Sequence, residues 1–176
     1  MNYNYMNPDR GFGLKSEKED YILLKDFNQF LNIQHLVQIE GNEYADASGY
    51  TTDGRTVNIE IKKRNQTYKN LSIEGTTKQG HPYTADTLYI ESHKACDLLL
   101  DYLTNQKEPL YVNFLSNNVV VVYNLAKLKH RPKRTLKKIW SDLYQGFELG
   151  KRQELRLEDA YIYKLENNHY TLIHKP

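Results

Sequence analysis

The stretch YADASGYTTDGRTVNIEIKKR, residues 44–64, constrains this chain more than any other. Thr52-Asp53-Gly54 is a turn signal between two runs that read as strands. Side chains alternate along a strand, so the loop length decides which residues share a face. A two-residue loop, Asp53-Gly54, sets Thr52 opposite Arg55 and Asp46 opposite Ile61. Asp46 and Ser48 would then lie on the face of Val57, Ile59 and Ile61, and a carboxylate on an apolar face is costly. A three-residue loop, with Gly54 as a left-handed bulge, sets Thr51 opposite Arg55 and Asp46 opposite Glu60. Ala45, Ala47 and Gly49 then share a face with the β-branched trio, and Tyr44, Asp46, Ser48, Asn58, Glu60 and Lys62 share the other. The hydrophobic pattern selects this second register. It brings Asp46, Glu60 and Lys62 together, with directly paired Cβ atoms ~5 Å apart. Two carboxylates that close repel unless something positive lies between them.

Such a group suits a hard divalent cation. Mg²⁺ binds through one or two carboxylates and keeps several waters. A neighbouring lysine can hold an attacking water or stabilise charge on a phosphate oxygen. An Asp followed by Glu-x-Lys on the next strand is therefore an arrangement for phosphodiester cleavage. The stretch resembles the PD-(D/E)XK nuclease superfamily, which includes restriction endonucleases and archaeal-type Holliday junction resolvases. Asp46 matches the first acid, and Glu60-Ile61-Lys62 matches the Glu-x-Lys tripeptide. Ala45 stands where the motif has proline, a minor departure. Glu-x-Lys alone occurs by chance in most proteins; the hairpin and its register supply the specificity. The plainer reading is an amphipathic hairpin with a solvated charged face.

Composition bounds the rest. A chain of 176 residues fits one domain, read as 1–176, and can bury an ordinary core. A net charge of +2 carries no global basic excess, so nucleic-acid binding must come from local patches. One cysteine excludes an intrachain disulfide and cysteine-rich zinc sites. No apolar run approaches the roughly 20 residues of a membrane span, and the polar start lacks a signal peptide's apolar stretch. We expect no membrane partner and a cytoplasmic setting. The abundance of Tyr, Asn and Lys suggests an AT-rich genome, in a bacterial cytosol or a phage-infected cell.

Along the chain, residues 1–15 read as an arm, with Gly11 and Gly13 against regular structure. A helix is expected over 17–31, with Ser16 and Glu19 as a capping box. A strand at 35–40 and a turn at Gly41-Asn42 precede the hairpin, 44–51 and 55–63. Residues 65–86 read as an irregular loop, save for a short strand near 71–73. A strand at 87–91 leads to a second helix over 92–105, capped by Ser92, with Cys96, Leu99, Leu100 and Leu103 as its buried stripe. Strands at 109–115 and 119–125 join at Asn117-Asn118. A third helix is expected over 135–146, and a last hairpin turns at Asn167-Asn168. The order is that of an α/β, restriction-endonuclease-like α-β-β-β-α-β core over about 17–124. It implies a mixed central sheet flanked by helices, with a helix and hairpin in an extension over 125–176.

The resemblance adds candidates. The superfamily often carries an acid on its first helix. Glu17 is the best match, with Glu19 and Asp20 as competitors; capping is the plainer role for all three. Glu40 ends the first strand and could face the same site. Lys94, near the start of the second helix, is an accessory candidate. Lys63 and Arg64 could touch a phosphate or mark a solvated strand end. Lys127, Lys129, Arg131, Lys133, Arg134, Lys137 and Lys138 form the one dense basic run, a candidate phosphate contact. Lys137 and Lys138 in the first turn of the third helix would oppose its dipole, a conflict that a bound anion would relieve.

The expected function is Mg²⁺-dependent endonucleolytic cleavage of DNA, with Mn²⁺ able to substitute. Asp46 and Glu60 would hold the metal, the Ile61 carbonyl would add a ligand, and Lys62 would orient the attacking water. A homodimer is expected by analogy, since symmetric cutting of two strands needs two sites. The alternatives are a catalytically silent nuclease-like module that binds nucleic acid or a protein partner in a phage or defence assembly, and a small structural protein with no nucleic-acid role.

Overall fold

The hairpin folds in the register that the hydrophobic pattern selects. Ala47 pairs with Ile59, Ser48 with Asn58 and Gly49 with Val57. Thr51 N–H donates to the Arg55 carbonyl at 2.8 Å, and Gly54 takes the left-handed conformation at φ +85°. The computed structural model describes residues 10–39, 45–77, 79–141 and 146–176, and side chains within these except at 10–18, 137–141 and 146–149.

Helix α1 (Arg10–Phe27) runs through a 3₁₀ turn (Asn28–Leu31) into β1 (Ile33–Gln38), β2 (Ala47–Thr51) and β3 (Thr56–Arg64). A small antiparallel sheet follows, built from β4 (Thr67–Lys69), β5 (Ser72–Thr76) and β6 (Pro82–Ala85). Then come β7 (Thr87–Glu91), α2 (Ser92–Asn105), β8 (Glu108–Leu115) and β9 (Val119–Asn124). The chain ends with β10 (Lys133–Ser141), β11 (Gly146–Arg156), β12 (Tyr161–Glu166) and β13 (His169–His174). The main sheet has the order β1-β2-β3-β8-β9-β12-β13 and is mixed: β3 and β8 are parallel, the other pairs antiparallel. The order helix, three strands, helix, strand holds once β4–β7 are set aside as an insertion. Among the described residues no helix is long and apolar enough to cross a membrane.

Two cores lie on the two sides of the main sheet. On one, Leu24 and Phe27 of α1 cover Ala47, Val57, Ile59, Ile61 and Val112. On the other, Ala95 and Leu98 of α2 cover Tyr111, Tyr123 and Val121. Strands β8 and β9, covered on both faces, are accordingly near-continuous apolar runs. Asn167 and Asn168 both adopt positive φ, as a tight two-residue hairpin turn requires.

The structure corrects several expectations. Helix α1 starts at Arg10 and passes through Gly11, Gly13 and Ser16, so Ser16 is not its cap. A glycine costs a helix only about 1 kcal/mol and does not stop it. Residues 65–86 are not an irregular loop but contain the small three-stranded sheet. The third helix is absent: 133–141 and 146–156 form an antiparallel ribbon paired to β7. Leu136, Ile139 and Trp140 have helical spacing, but the open edge of β7 takes β11 as a partner and tertiary pairing overrides the local period. On α2 the cap is Glu91 and Ser92 is the first helical residue; the buried residues are Ala95, Leu98 and Asp101, Leu99 packs partly buried against the core, and Cys96, Leu100 and Leu103 are exposed. The helix is turned so that Lys94 and Asp101, not the leucine stripe, meet polar groups on β3. Ala45 also departs from its expected face, joining the core on the α2 side at the bend before β2.

Gly49 has no room for a side chain: a Cβ there would stand 2.7 Å from Ile33 Cγ2 and 3.2 Å from the Gln34 carbonyl oxygen. Gly49→Ala should destabilise the protein by about 1–3 kcal/mol, read as a lower urea midpoint with unchanged slope.

Candidate active site

The β2–β3 ladder ends at the pair Ala47–Ile59, so among the described residues the last residues of β3 have an open edge. Two carboxylates line it. Asp46 N–H donates to the Ile59 carbonyl at 2.9 Å, and Ile61 N–H donates to Asp46 Oδ2 at 2.6 Å. One residue pair further on, the Lys63 N–H donates to Asp20 of α1. Within a strand a residue's N–H and C=O point to the same side, so the Ile61 carbonyl faces the edge that Asp46 lines.

Glu60 lies beside them, fully buried at 0% exposure. Its Oε1 accepts from Lys94 Nζ at 2.6 Å and lies 3.4 Å from Lys62 Nζ. Burial and the nearby Asp46 charge push the Glu60 carboxyl up to about 7, against the pull of Lys62 and Lys94. Burial lowers the Lys62 pKa, but Glu60, Glu91 and Asp46 outweigh it and hold the ammonium above its ordinary value. Glu91, the last residue of β7, is the reverse case: burial raises it, and Lys62, its backbone hydrogen bond, Lys94 and Arg64 bring it below the usual carboxylate range. Asp20 is raised, by burial first and Asp46 second.

Glu60 Oε2, Asp20 Oδ1 and Glu91 Oε2 are all buried without a hydrogen-bond partner. An unpaired buried carboxylate oxygen is costly, and a cation among these groups would relieve it. The donor set is all oxygen, which suits Mg²⁺ or Mn²⁺ rather than zinc. Among the described residues no three or more His, Cys, Asp or Glu side chains form a metal cage. A site here would rest on two carboxylates, a backbone carbonyl and waters, the sparse set that Mg²⁺ accepts.

The other sequence candidates divide. Lys94 does reach the site. Asp20, weighed behind Glu17, is the described α1 acid that lines the edge. The Glu17 side chain, Glu40, the Gly41-Asn42 turn and the Lys137 and Lys138 side chains lie outside what is described. Lys63 is exposed, 4.0 Å from Glu19. Arg64 turns inward: its guanidinium donates to Asn113 Oδ1 at 2.6 Å and the Tyr89 carbonyl at 2.6 Å, and lies over the Tyr89 ring. Lys127 is held by Glu108 at 2.7 Å. Lys129, Arg131, Lys133 and Arg134 are exposed, on or just before β10 rather than on a helix. Glu91 was missed, although it stands three residues before Lys94 at a strand-to-helix junction.

The sequence matches no protein-family model and no curated protein. Among solved structures, the chain is similar to Hjc, a Holliday junction resolvase from the archaeal hyperthermophile Archaeoglobus fulgidus. The two share 12% identity with a TM-score of 0.46, over 78% of this chain and 82% of that one.

A carboxyl raised in the folded state stabilises the fold below its unfolded pKa, and that contribution is lost as pH rises through the folded value. In EDTA, stability should therefore fall between about pH 4.5 and 7 because of Glu60. Glu60→Gln should flatten that fall by up to about 3 kcal/mol, measured as the difference in unfolding free energy between variant and parent across this range. Parallel pH profiles would show that Glu60 has an ordinary pKa.

Proposed function

We propose that the protein is a divalent-metal-dependent nuclease that hydrolyses DNA phosphodiester bonds. The observation that carries this reading is the meeting of Asp46, at the open edge of β3, with Glu60 and Lys62 beside it, and with buried carboxylate oxygens left unpaired. Asp46, Glu60 and the Ile61 carbonyl would hold Mg²⁺, with Mn²⁺ as a substitute. A cation bound there would supply Lewis-acid stabilisation of charge on the phosphate. Lys62 stays protonated at neutral pH, so it acts as a hydrogen-bond donor and positive charge, orienting the attacking water rather than taking its proton. Asp46 Oδ2 accepts from the Ile61 N–H, so Oδ1 would be the oxygen offered to the metal. A homodimer belongs to the proposal, because cutting both strands of a duplex needs two sites.

One observation favours a second reading. Lys94 already neutralises Glu60 from 2.6 Å, as an internal cation would in a module that binds nucleic acid without cutting it. Supercoiled plasmid, a four-way junction and single-stranded DNA, each with Mg²⁺, Mn²⁺ or EDTA, separate the two. Metal-dependent cutting is expected, reduced about 10²-fold or more in Asp46→Asn, Glu60→Gln and Lys62→Ala. No cutting of any substrate, or variants that cut like the parent, would leave the silent module.

A further inference from the structure

Beside the active site, the first turn of α2 borders an open cavity of about 580 Å³. Ser92, His93, Arg134, Leu136, Lys151 and Gln153 line it. Three independent features there ask for an anion. First, α2 has 14 residues, its N-cap Glu91 makes no side-chain cap bond, and its first turn holds no acid. The first N–H groups of a helix have no intrahelical partner and carry the positive end of its dipole. Second, Arg134 and Lys151 are exposed, and neither makes an ion pair among the described residues. The ribbon register sets them on one face: Arg134 pairs with Gln153, and two residues along Leu136 pairs with Lys151. Third, Gln153 is only 7% exposed, lines the cavity, and its side-chain amide has no hydrogen-bond partner among the described residues. The part of Gln153 that stays accessible therefore faces the cavity. Leu136 and Cys96 add an apolar wall to this polar set.

We infer that this cavity holds a backbone phosphate of the nucleic-acid strand, next to the phosphate at the Glu60 site. The helix end, Arg134 and Lys151 take the phosphate oxygens, the Gln153 amide donates to one of them, and the sugar lies against Leu136. The assignment of the ligand to a strand rests on the nuclease reading; the anion site itself does not. Glu91 and Lys94 at the active site and Ser92 and His93 at the cavity belong to one turn, so the two phosphate positions are coupled through a rigid element. The cavity holds the strand in register without reading its sequence.

The test uses the full chain in EDTA, followed by amide NMR. One titration uses inorganic phosphate and another the dinucleotide dTpdT, whose only phosphate is a diester. Saturable shifts of the Ser92, His93 and Lys94 amides are expected with both. They should weaken roughly tenfold or more in an Arg134→Gln/Lys151→Gln double variant, the loss expected for charge-assisted hydrogen bonds, and also in Gln153→Leu. With a longer oligonucleotide, the double variant should reduce the salt dependence of binding by about one phosphate contact. Shifts with inorganic phosphate alone would overturn the strand assignment. Shifts absent at α2, or the same in the variants, would overturn the site. If DNA is cut while α2 gives no response, this inference fails and the nuclease reading stands. If phosphate and dTpdT seat at α2 while no substrate is cut, the reverse holds.

Discussion

The rest of the structure is arranged around one costly act, the burial of the Glu60 carboxylate. A charge removed from water must be paired or neutralised. The fold meets this from three directions. Lys62 comes from the same strand, Lys94 from the helix packed over it, and the raised pKa lets the group share a proton near neutral pH. Breaking such a pair from one side leaves an uncompensated charge, which typically costs about 3–5 kcal/mol. The position of α2 is therefore set as much by Lys94 and Asp101 as by Ala95 and Leu98. Asp101 accepts from Asn58 one strand alternation away from Glu60, so both ends of the helix are pinned to the polar face of β3.

That face is polar and buried, while the opposite face of β3 is apolar and buried. The two differ in what covers them. Helix α1 brings Leu24 and Phe27 to Val57, Ile59 and Ile61, and contributes Asp20 only where the sheet edge opens. Helix α2 brings a lysine and an aspartate. Continuing along β3, Arg64 is held by Asn113, Tyr89 and Tyr111. The strand thus passes from the candidate reaction centre to a rigid arginine anchor within four residues. Tyr89 binds this anchor on one side and lies under Arg152 of the ribbon at 3.9 Å. The β7–β10–β11 sheet is in this way tied to the site it borders.

Local signals were legible where a turn or an alternation settled the matter. The Asp53-Gly54 turn and the β-branched trio were enough to give the register of β2 and β3, and with it the meeting of Asp46 and Glu60. The Asn117-Asn118 and Asn167-Asn168 turns marked the later hairpins. Signals failed where two periods coexisted. Leu136, Ile139 and Trp140 suit a helix, yet the free edge of β7 made them a strand. Cys96, Leu99, Leu100 and Leu103 form a regular stripe, yet only Leu99 packs on the core, and α2 turns the other three outward because buried charge outranks exposed leucine. Asp20 could not be chosen over Glu19 because a one-residue step on a helix is a rotation of about 100°, and only the packing angle of α1 decides it.

The sequence by itself determined which chemistry could meet on the hairpin. Strand alternation is strict and local, so the residues opposite Glu60 follow from the loop length alone. The tertiary structure decided everything that depends on surfaces brought together from afar. It buried Glu60, moved its pKa, set Lys94 against it, turned Arg64 inward and drew residues 133–156 onto β7. Desolvation and pairing between distant elements carry no local period, so no pattern in the chain could announce them.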